Sequence, residues 1–361
     1  MTHDRLLTAP PPSLPARDPR GHKGTFGTVL VCGGCAANPR MIGAPALAAL
    51  AGLRAGCGLA KIVSPEPIIN HVLALCPSAT GWGVAVDDGG RIVPHEVSRA
   101  FDALSPQASA IVVGPGLGEG AGVSRLALRA IQHEGCPVIL DADAINALAT
   151  IPELHRDWKC AGVITPHPGE FKRIAAALNI EADAASEATR PSAAEELAQK
   201  LGCIVVLKGS GTVVSDGHRT WVNDTGGPEL ATAGTGDVLA GLIAGLVAQH
   251  GERRSETHSA AIQDHSLMDA TRALAMAKLR EKGLAVPANA RGGAETAHFR
   301  SGSERTSETL SLFDLARIAV RIHGLAGDRW REVHTASGGM VAMELTAQIP
   351  GIMQRVRVST A

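Results

Sequence analysis

Asp237 closes the run Ala233-Gly234-Thr235-Gly236-Asp237, and an apolar stretch over residues 238–248 follows at once. Small residues leading into a helix leave main-chain N–H groups unpaired at the positive end of the helix dipole. That arrangement suits a phosphate or a developing oxyanion. In the first turn, the Asp237 carboxylate is placed to take a proton from whatever the anion turn holds. An acidic residue there also simply favours a helix start, and on these residues alone both readings stand. The apolar run is too short to span a membrane and predicts a buried helix, with Gly241 and Gly245 opening one side to another backbone.

Further loops carry groups able to meet a ligand. His22-Lys23-Gly24-Thr25-Phe26-Gly27 puts a lysine in a glycine-rich turn, where it reaches a phosphate or is merely solvated. Gly114, Gly116 and Gly118 of GPGLG allow a ligand close to the main chain, although this is not the dinucleotide fingerprint. Asp141 and Asp143 end an apolar strand pattern. They suit a magnesium ion held through water, or Asp143 caps a helix. In Thr165-Pro166-His167-Pro168-Gly169-Glu170 two prolines stiffen the loop around His167, and Glu170 reaches a metal, reaches a ligand, or caps the next helix. Lys208-Gly209-Ser210-Gly211-Thr212 joins two strand-like runs. Its lysine precedes the glycines and no helix follows, so it is not a Walker A loop; it holds a nucleotide's phosphate and sugar or is a plain hairpin turn. Cys32 and Cys35 form a CxxC, but Cys32 closes an apolar run and reads as a small buried hydrophobe rather than a redox group.

These loops need a frame. Short β-branched runs at residues 28–32, 59–63, 110–113, 137–140, 162–164, 204–207 and 213–214 alternate with alanine-rich helical stretches. The expected fold class is α/β, a three-layer α/β/α arrangement on a mostly parallel central sheet, with ligands at the carboxyl ends of the strands. Residues 1–20 carry five prolines and read as a flexible tail. Residues 21–345 form one domain, interrupted by an atypical insertion at 251–310, and residues 346–361 are a C-terminal tail. Within the insertion, Ser266 and Asp269 resemble a capping box on a helix over 266–279. A helix from Leu312 is expected to run through Arg321 and give way to His323-Gly324-Leu325-Ala326-Gly327-Asp328.

Composition excludes several function classes. The chain has 34 basic and 35 acidic residues, which gives no electrostatic case for nucleic acid or an anionic membrane. Five Phe, four Trp and no Tyr leave little to stack on bases. Seven scattered cysteines, an odd number, argue against a disulfide framework. There is no apolar leader at the N-terminus, so the expected location is cytoplasmic.

HKGTFGTVLVCGG, GPGLG, LDADAIN, TPHPGEF, LKGSGT, ATAGTGDVLAGLIAG and HGLAGD, in this order, resemble the ADP-dependent NAD(P)H-hydrate dehydratase family of the ribokinase-like superfamily. The resemblance covers nearly all of residues 21–345 outside the excursion. It implies a ribokinase-like fold and repair of NADH hydrate and NADPH hydrate, with ADP (or ATP) as phosphoryl donor and Mg2+. Phosphoryl transfer to the C6 hydroxyl would be followed by elimination, giving NAD(P)H, AMP and phosphate.

Carried onto this chain, the resemblance makes Asp237 the base, with Gly234, Thr235 and Gly236 stabilising the phosphoryl group. Ala44, Gly116, Gly118, His167 and Asp237 would line the hydrate site. Lys208, Gly209, Ser210, Gly211, Thr212 and Gly236 would bind the adenylate, and Glu170 would meet the metal, through water. The family's habit implies a homo-oligomer, a tetramer. Only about twenty residues precede the match, too few for the epimerase domain of bifunctional relatives, so no epimerase activity is expected. One departure stands out. The family pattern GNPGMA is here Gly226-Gly227-Pro228-Glu229-Leu230-Ala231, which is expected to add negative charge near the phosphate site. The competing readings are a vitamin-precursor kinase of the same superfamily and a catalytically silent nucleotide-binding regulator.

Overall fold

The central strands read TVLVC, AIVV, VIL, GVI and IVVL, and every residue in them is buried. Strands buried on both faces are continuous apolar runs rather than alternating ones, because helices cover each side. The computed structural model describes residues 6–251 and 310–358. The elements of the first half are β1 (Leu6–Leu7), β2 (Thr28–Cys32), α1 (Gly43–Ala55), β3 (Leu59–Pro65), α2 (Ile69–Leu75), β4 (Thr80–Val84), α3 (Pro94–Leu104), β5 (Ala110–Val113) and α4 (Ala121–Ile131). There follow β6 (Val138–Leu140), α5 (Asp143–Leu148), α6 (Leu154–Asp157), β7 (Gly162–Ile164), α7 (Pro168–Ala177), α8 (Arg190–Leu201), β8 (Ile204–Leu207), β9 (Val213–Ser215) and β10 (Thr220–Val222). The last three are α9 (Thr235–His250), α10 (Leu312–His334) and α11 (Ala342–Val358).

One sheet joins all ten strands, in the order β1-β10-β9-β8-β7-β6-β5-β2-β3-β4. All neighbours are parallel except β9, which runs antiparallel to both β8 and β10. Alternate strand residues feed two separate cores. Val29, Val31, Val112, Ile139, Val163 and Val206 face the layer of α1, α9, α10 and α11. Leu30, Cys32, Val113, Leu140, Ile164 and Leu207 face the layer of α3, α4, α5, α7 and α8. This is the expected three-layer α/β/α arrangement on a mostly parallel sheet. Helix α9 lies tight on α1: a Cβ on Gly241 would meet Ala48 O, and one on Gly245 would lie 2.7 Å from Gly52 O.

Three expectations need correction. Residues 6–17 do not behave as a tail, since β1 pairs in parallel with β10, Leu14 is buried, and Arg17 donates to Gly56 O at 2.8 Å. A two-residue strand followed by a proline-rich stretch carries no periodicity, which is why the composition misleads. At the other end, residues 346–358 continue α11, with Ile349, Ile352 and Met353 buried. Finally, α10 runs unbroken from Leu312 to His334, so HGLAGD is the middle of a helix. Gly324 and Gly327 there are contact points for another segment, not breakers. The expected helix over 266–279 and its capping box lie outside the described residues, as does the insertion apart from its ends. At those ends Leu310 N donates to His250 O at 3.3 Å.

Candidate active site

Gly234 takes a left-handed conformation, φ 92°, and turns the chain into α9. A Cβ there would lie 2.7 Å from Leu47 Cδ1 and 2.9 Å from Ala342 Cβ. Among the described residues the N–H groups of Thr235, Gly236 and Asp237 make no hydrogen bond; Val238 is the first to donate back, to Gly234 O at 3.1 Å. Three free donors at a helix start form an anion turn. Its shape is held by Thr235, whose hydroxyl donates to Leu230 O at 2.9 Å and Thr232 O at 3.0 Å. From α10, His323 Nε2 donates to Thr235 O at 2.9 Å.

The anion turn lies by charged groups at the carboxyl ends of β6, β7 and β8: two acids and a lysine. Asp141 follows β6 and is 1% exposed; its Oδ1 accepts from Thr165 Oγ1 at 2.6 Å and from Lys208 Nζ at 2.9 Å. Glu170 Oε2 lies 3.7 Å from the same ammonium. A Cβ built on Gly236 would sit 3.4 Å from Lys208 Nζ, so the lysine lies against the anion turn. Burial alone would lower the Lys208 pKa, but Asp141, Glu170 and Asp237 outweigh it and raise the value above its usual one. Asp237 moves furthest. Burial first, then Asp141, Asp143 and Glu170, push its carboxyl up to about 7, with Lys208 pulling the other way. Among the described residues no side chain hydrogen-bonds to Asp237. A carboxylate with that pKa beside free N–H donors is a proton acceptor matched to neutral pH.

His167 and Glu170 brace each other. His167 caps α7 through Nδ1, which accepts from Gly169 N at 3.0 Å, while His167 N donates to Glu170 Oε2 at 2.8 Å. Because Nδ1 accepts, the ring proton sits on Nε2, 3.3 Å from Glu170 Oε1. Burial, partly offset by Lys208, raises the Glu170 pKa. Both oxygens of Glu170, the expected metal-side group, are therefore turned to protein partners. Among the described residues no three His, Cys, Asp or Glu side chains group to hold a metal ion.

The chain reverses its direction across the sheet between β2 and β5, the place at which sheets of this kind bind ligands. Gly34 N donates to Pro115 O at 2.9 Å, tying the two loops together. A Cβ on Gly116 (φ 61°) would lie 3.0 Å from Met41 Cβ and 3.1 Å from Ala44 Cβ, so only glycine lets them meet. Gly118 N donates to Asp143 Oδ2 at 2.8 Å. Asp143 is thus a brace for the GPGLG loop, not a side-chain cap of α5. Ala44 and Gly116 thus come together, while Gly118 lies against Cys35. Lys23 does not join them: it is exposed and precedes β2, and the same turn's Gly27 abuts Ala248 near the far end of α9. Cys32 is enclosed within β2, and burial pushes its thiol to about 12.

Lys208, Gly209, Ser210, Gly211 and Thr212 form the turn between β8 and antiparallel β9. The turn is held from within by Thr212 Oγ1 donating to Gly209 O at 3.1 Å. Buried Arg190 holds it from α8, donating to Ser210 O. The Lys208 side chain leaves this turn and points to the acids instead.

Glu229 does not add charge to the anion turn. It is 1% exposed, accepts from Gly227 N at 2.8 Å, and lies 3.6 Å from Arg331 NH1 on α10. The same face of α10 holds the rest of the segment. Asp328 accepts from Gly226 N at 3.0 Å, and Thr225 Oγ1 lies against Gly324 and donates to Arg321 O at 3.3 Å. Sequence reasoning missed Arg190, gave His323 no role beyond its place in HGLAGD, and did not join Asp141 to Lys208. The two lie 67 residues apart, and only the order β6-β7-β8 brings them together.

A family model described as NAD(P)H-hydrate dehydratase matches residues 29–289. An ADP-dependent (S)-NAD(P)H-hydrate dehydratase of Bacillus subtilis is 38% identical over 241 residues, 66% of this chain and 78% of that one. A homologue of the same description from Xanthomonas campestris is 36% identical over 69% of this chain and 83% of that one. The bifunctional NAD(P)H-hydrate repair enzyme Nnr of Salinibacter ruber is 38% identical over 65% of this chain, which spans only 42% of that protein's length. Among solved structures, the ADP/ATP-dependent NAD(P)H-hydrate dehydratase of B. subtilis, co-crystallised with ATP/Mg2+, superposes with a TM-score of 0.65 at 28% identity, covering 95% of both chains. A ribokinase-like superfamily protein of Enterococcus faecalis shares the fold, with a TM-score of 0.62.

Proposed function

The chain belongs to the NAD(P)H-hydrate dehydratase family, and on that premise we propose that it dehydrates the (S)-hydrates of NADH and NADPH with ADP, or ATP, as phosphoryl donor. The observation that carries this reading is Asp237. Its carboxyl is raised to about 7 and sits in the first turn of α9, beside three free N–H donors.

The substrate lies in the crevice lined by Ala44, Gly116, Gly118 and His167, with its C6 hydroxyl on Asp237. Asp237 takes the hydroxyl proton as the oxygen bonds to the terminal phosphorus of ADP. The bond from that phosphorus to the bridging oxygen breaks, and AMP leaves with the electron pair. Main-chain N–H groups of Thr235, Gly236 and Asp237 hold the phosphoryl oxygens, where charge is spread in the transition state. The C6–O bond then breaks with its pair on phosphate while C5 gives its proton to that phosphate, restoring the C5=C6 double bond. Residues 209–212 and Gly236 hold the adenylate.

The donor set fits magnesium carried on the nucleotide's phosphates rather than a protein cage. Asp141 would meet such an ion through its waters. Glu170 would do so only with the outer lone pairs of oxygens already turned to His167 and Lys208, and the ion would supply charge neutralisation. The same reading takes the enzyme to be a cytoplasmic homo-tetramer, which light scattering on the purified chain would check. Among the described residues no helix is long and apolar enough to cross a membrane.

The test is recovery of reduced-nicotinamide absorbance from hydrated NADH and NADPH, with ADP or ATP and magnesium. Recovery that needs the nucleotide is expected. No recovery with either donor would overturn the reading, and a stable phosphorylated product would point to a kinase.

A further inference from the structure

We infer that the Lys208 side chain belongs to the phosphoryl-transfer centre: its ammonium meets the phosphoryl group in transit, while the main chain of residues 209–212 holds the adenylate. This deepens the reading above and rests on it for the identity of the acceptor.

Position comes first. Lys208 begins the β8–β9 turn, yet its side chain turns away from it to reach Asp141 Oδ1 at 2.9 Å and the neighbourhood of Gly236. The turn has its own cation, since Arg190 lies against Gly209 and donates to Ser210 O. An anchoring role for Lys208 on the adenylate would need the ammonium on the side where Arg190 already works.

Charge is the second argument. Asp141 and Glu170 lie against the ammonium beside Gly236, and Asp237 follows in the next position, so a phosphoryl group at the anion turn meets all three carboxylates. Three carboxylates repel a phosphate, and among the described residues Lys208 is the only lysine or arginine that ion-pairs with Asp141 or Glu170. Donor capacity agrees. An ammonium has three N–H groups; Asp141 takes one at 2.9 Å, and Glu170 at 3.7 Å is beyond a good hydrogen bond. That leaves donors for phosphoryl oxygens. Lys208 itself makes and breaks no bond: the substrate oxygen gains phosphorus, AMP keeps the pair from the broken bond, and the proton goes to Asp237.

The test compares ADP with AMP, which differ only in the phosphoryl group that transfers. Calorimetry on Lys208→Met should show ADP binding weakened by about 10- to 100-fold with AMP binding unchanged, and Lys208→Arg should recover part of the loss. In the dehydratase assay kcat of Lys208→Met should fall by about 10²–10³. Equal weakening of ADP and AMP would make Lys208 an adenylate anchor and overturn the proposal, as would no change for either. Because the lost lysine orphans a buried carboxylate, Lys208→Met/Asp141→Asn is measured alongside, with the same ADP-selective loss expected. The binding arms need no turnover. An ADP-selective loss in Lys208→Met, found together with a wild-type protein that dehydrates nothing, would sink the dehydratase reading and leave this one standing.

Discussion

His323 Nε2 donates to the main-chain oxygen of Thr235 at 2.9 Å, joining residues 88 apart in sequence. Through that bond α10 fixes the first residue of α9, and through Asp328 and Arg331 it fixes the segment leading in. The anion turn itself is main chain, and its geometry is set by a helix that supplies no group to the chemistry.

Burial holds His323 at about 4, below its usual 6.5. A depressed histidine contributes stability that is whole above about pH 6.5 and is lost as the pH falls through 4. His323→Gln keeps a donor without titrating, so its melting temperature should fall less steeply than wild type between pH 7 and 4. His250, also held at about 4, supplies part of the remaining slope. Identical acid slopes in the two proteins would rule out His323 as a source.

Asp237 runs with the opposite sign. Its folded value of about 7 stands above the ordinary 3.8, so its contribution is whole below pH 3.8 and is lost as the pH rises through 7. Asp237→Asn should therefore gain on the order of 1–3 kcal/mol over wild type at pH 8 and almost nothing at pH 4, by urea unfolding. The same variant should lose turnover by about 10²–10⁴ while binding ADP normally. Retained turnover would remove Asp237 from the base role.

Turnover should also report that ionisation directly. With Asp237 as base, kcat/KM for hydrated NADH should climb as pH rises and reach half its plateau at about pH 7. A limb near 4 would mean that the working carboxylate is another one.

Glu229 tests the link to α10. Glu229→Ala leaves Gly227 N–H without its acceptor and Arg331 with Asp328 as its remaining ion-pair partner, at a cost of about 1–3 kcal/mol in unfolding free energy. Glu229→Gln keeps the volume and an acceptor for Gly227, and should lose less. Equal losses would show that the charge, rather than the hydrogen bond, holds the segment.

How much of this was legible in the sequence differs from part to part. The central strands were readable because parallel strands covered on both faces are unbroken apolar runs, and the strand-end loops followed from them. Strands β1, β4 and β10, at or near the sheet edges and short or largely exposed, gave no such run and were not expected. Asp237 and His167 sit in local patterns, a helix start and a doubly proline-flanked cap, and such patterns survive without tertiary information. Lys208 is another matter. Its position in the turn was plain, but where an ammonium on a four-carbon stem points depends on Asp141, which a strand order delivers. Gly324 and Gly327 misled for a related reason. Glycines in a polar stretch look like breakers, yet in α10 their missing side chains admit Thr225 and Leu230.

The hydrogen bond from Leu310 N to His250 O has a practical consequence. Two ends of the described fold, at residues 250 and 310, are held together by that bond. Joining ends that touch depends only weakly on what is strung between them. The frame thus offers an attachment port between His250 and Leu310: a short linker, or a foreign cargo, joined there would close the same gap.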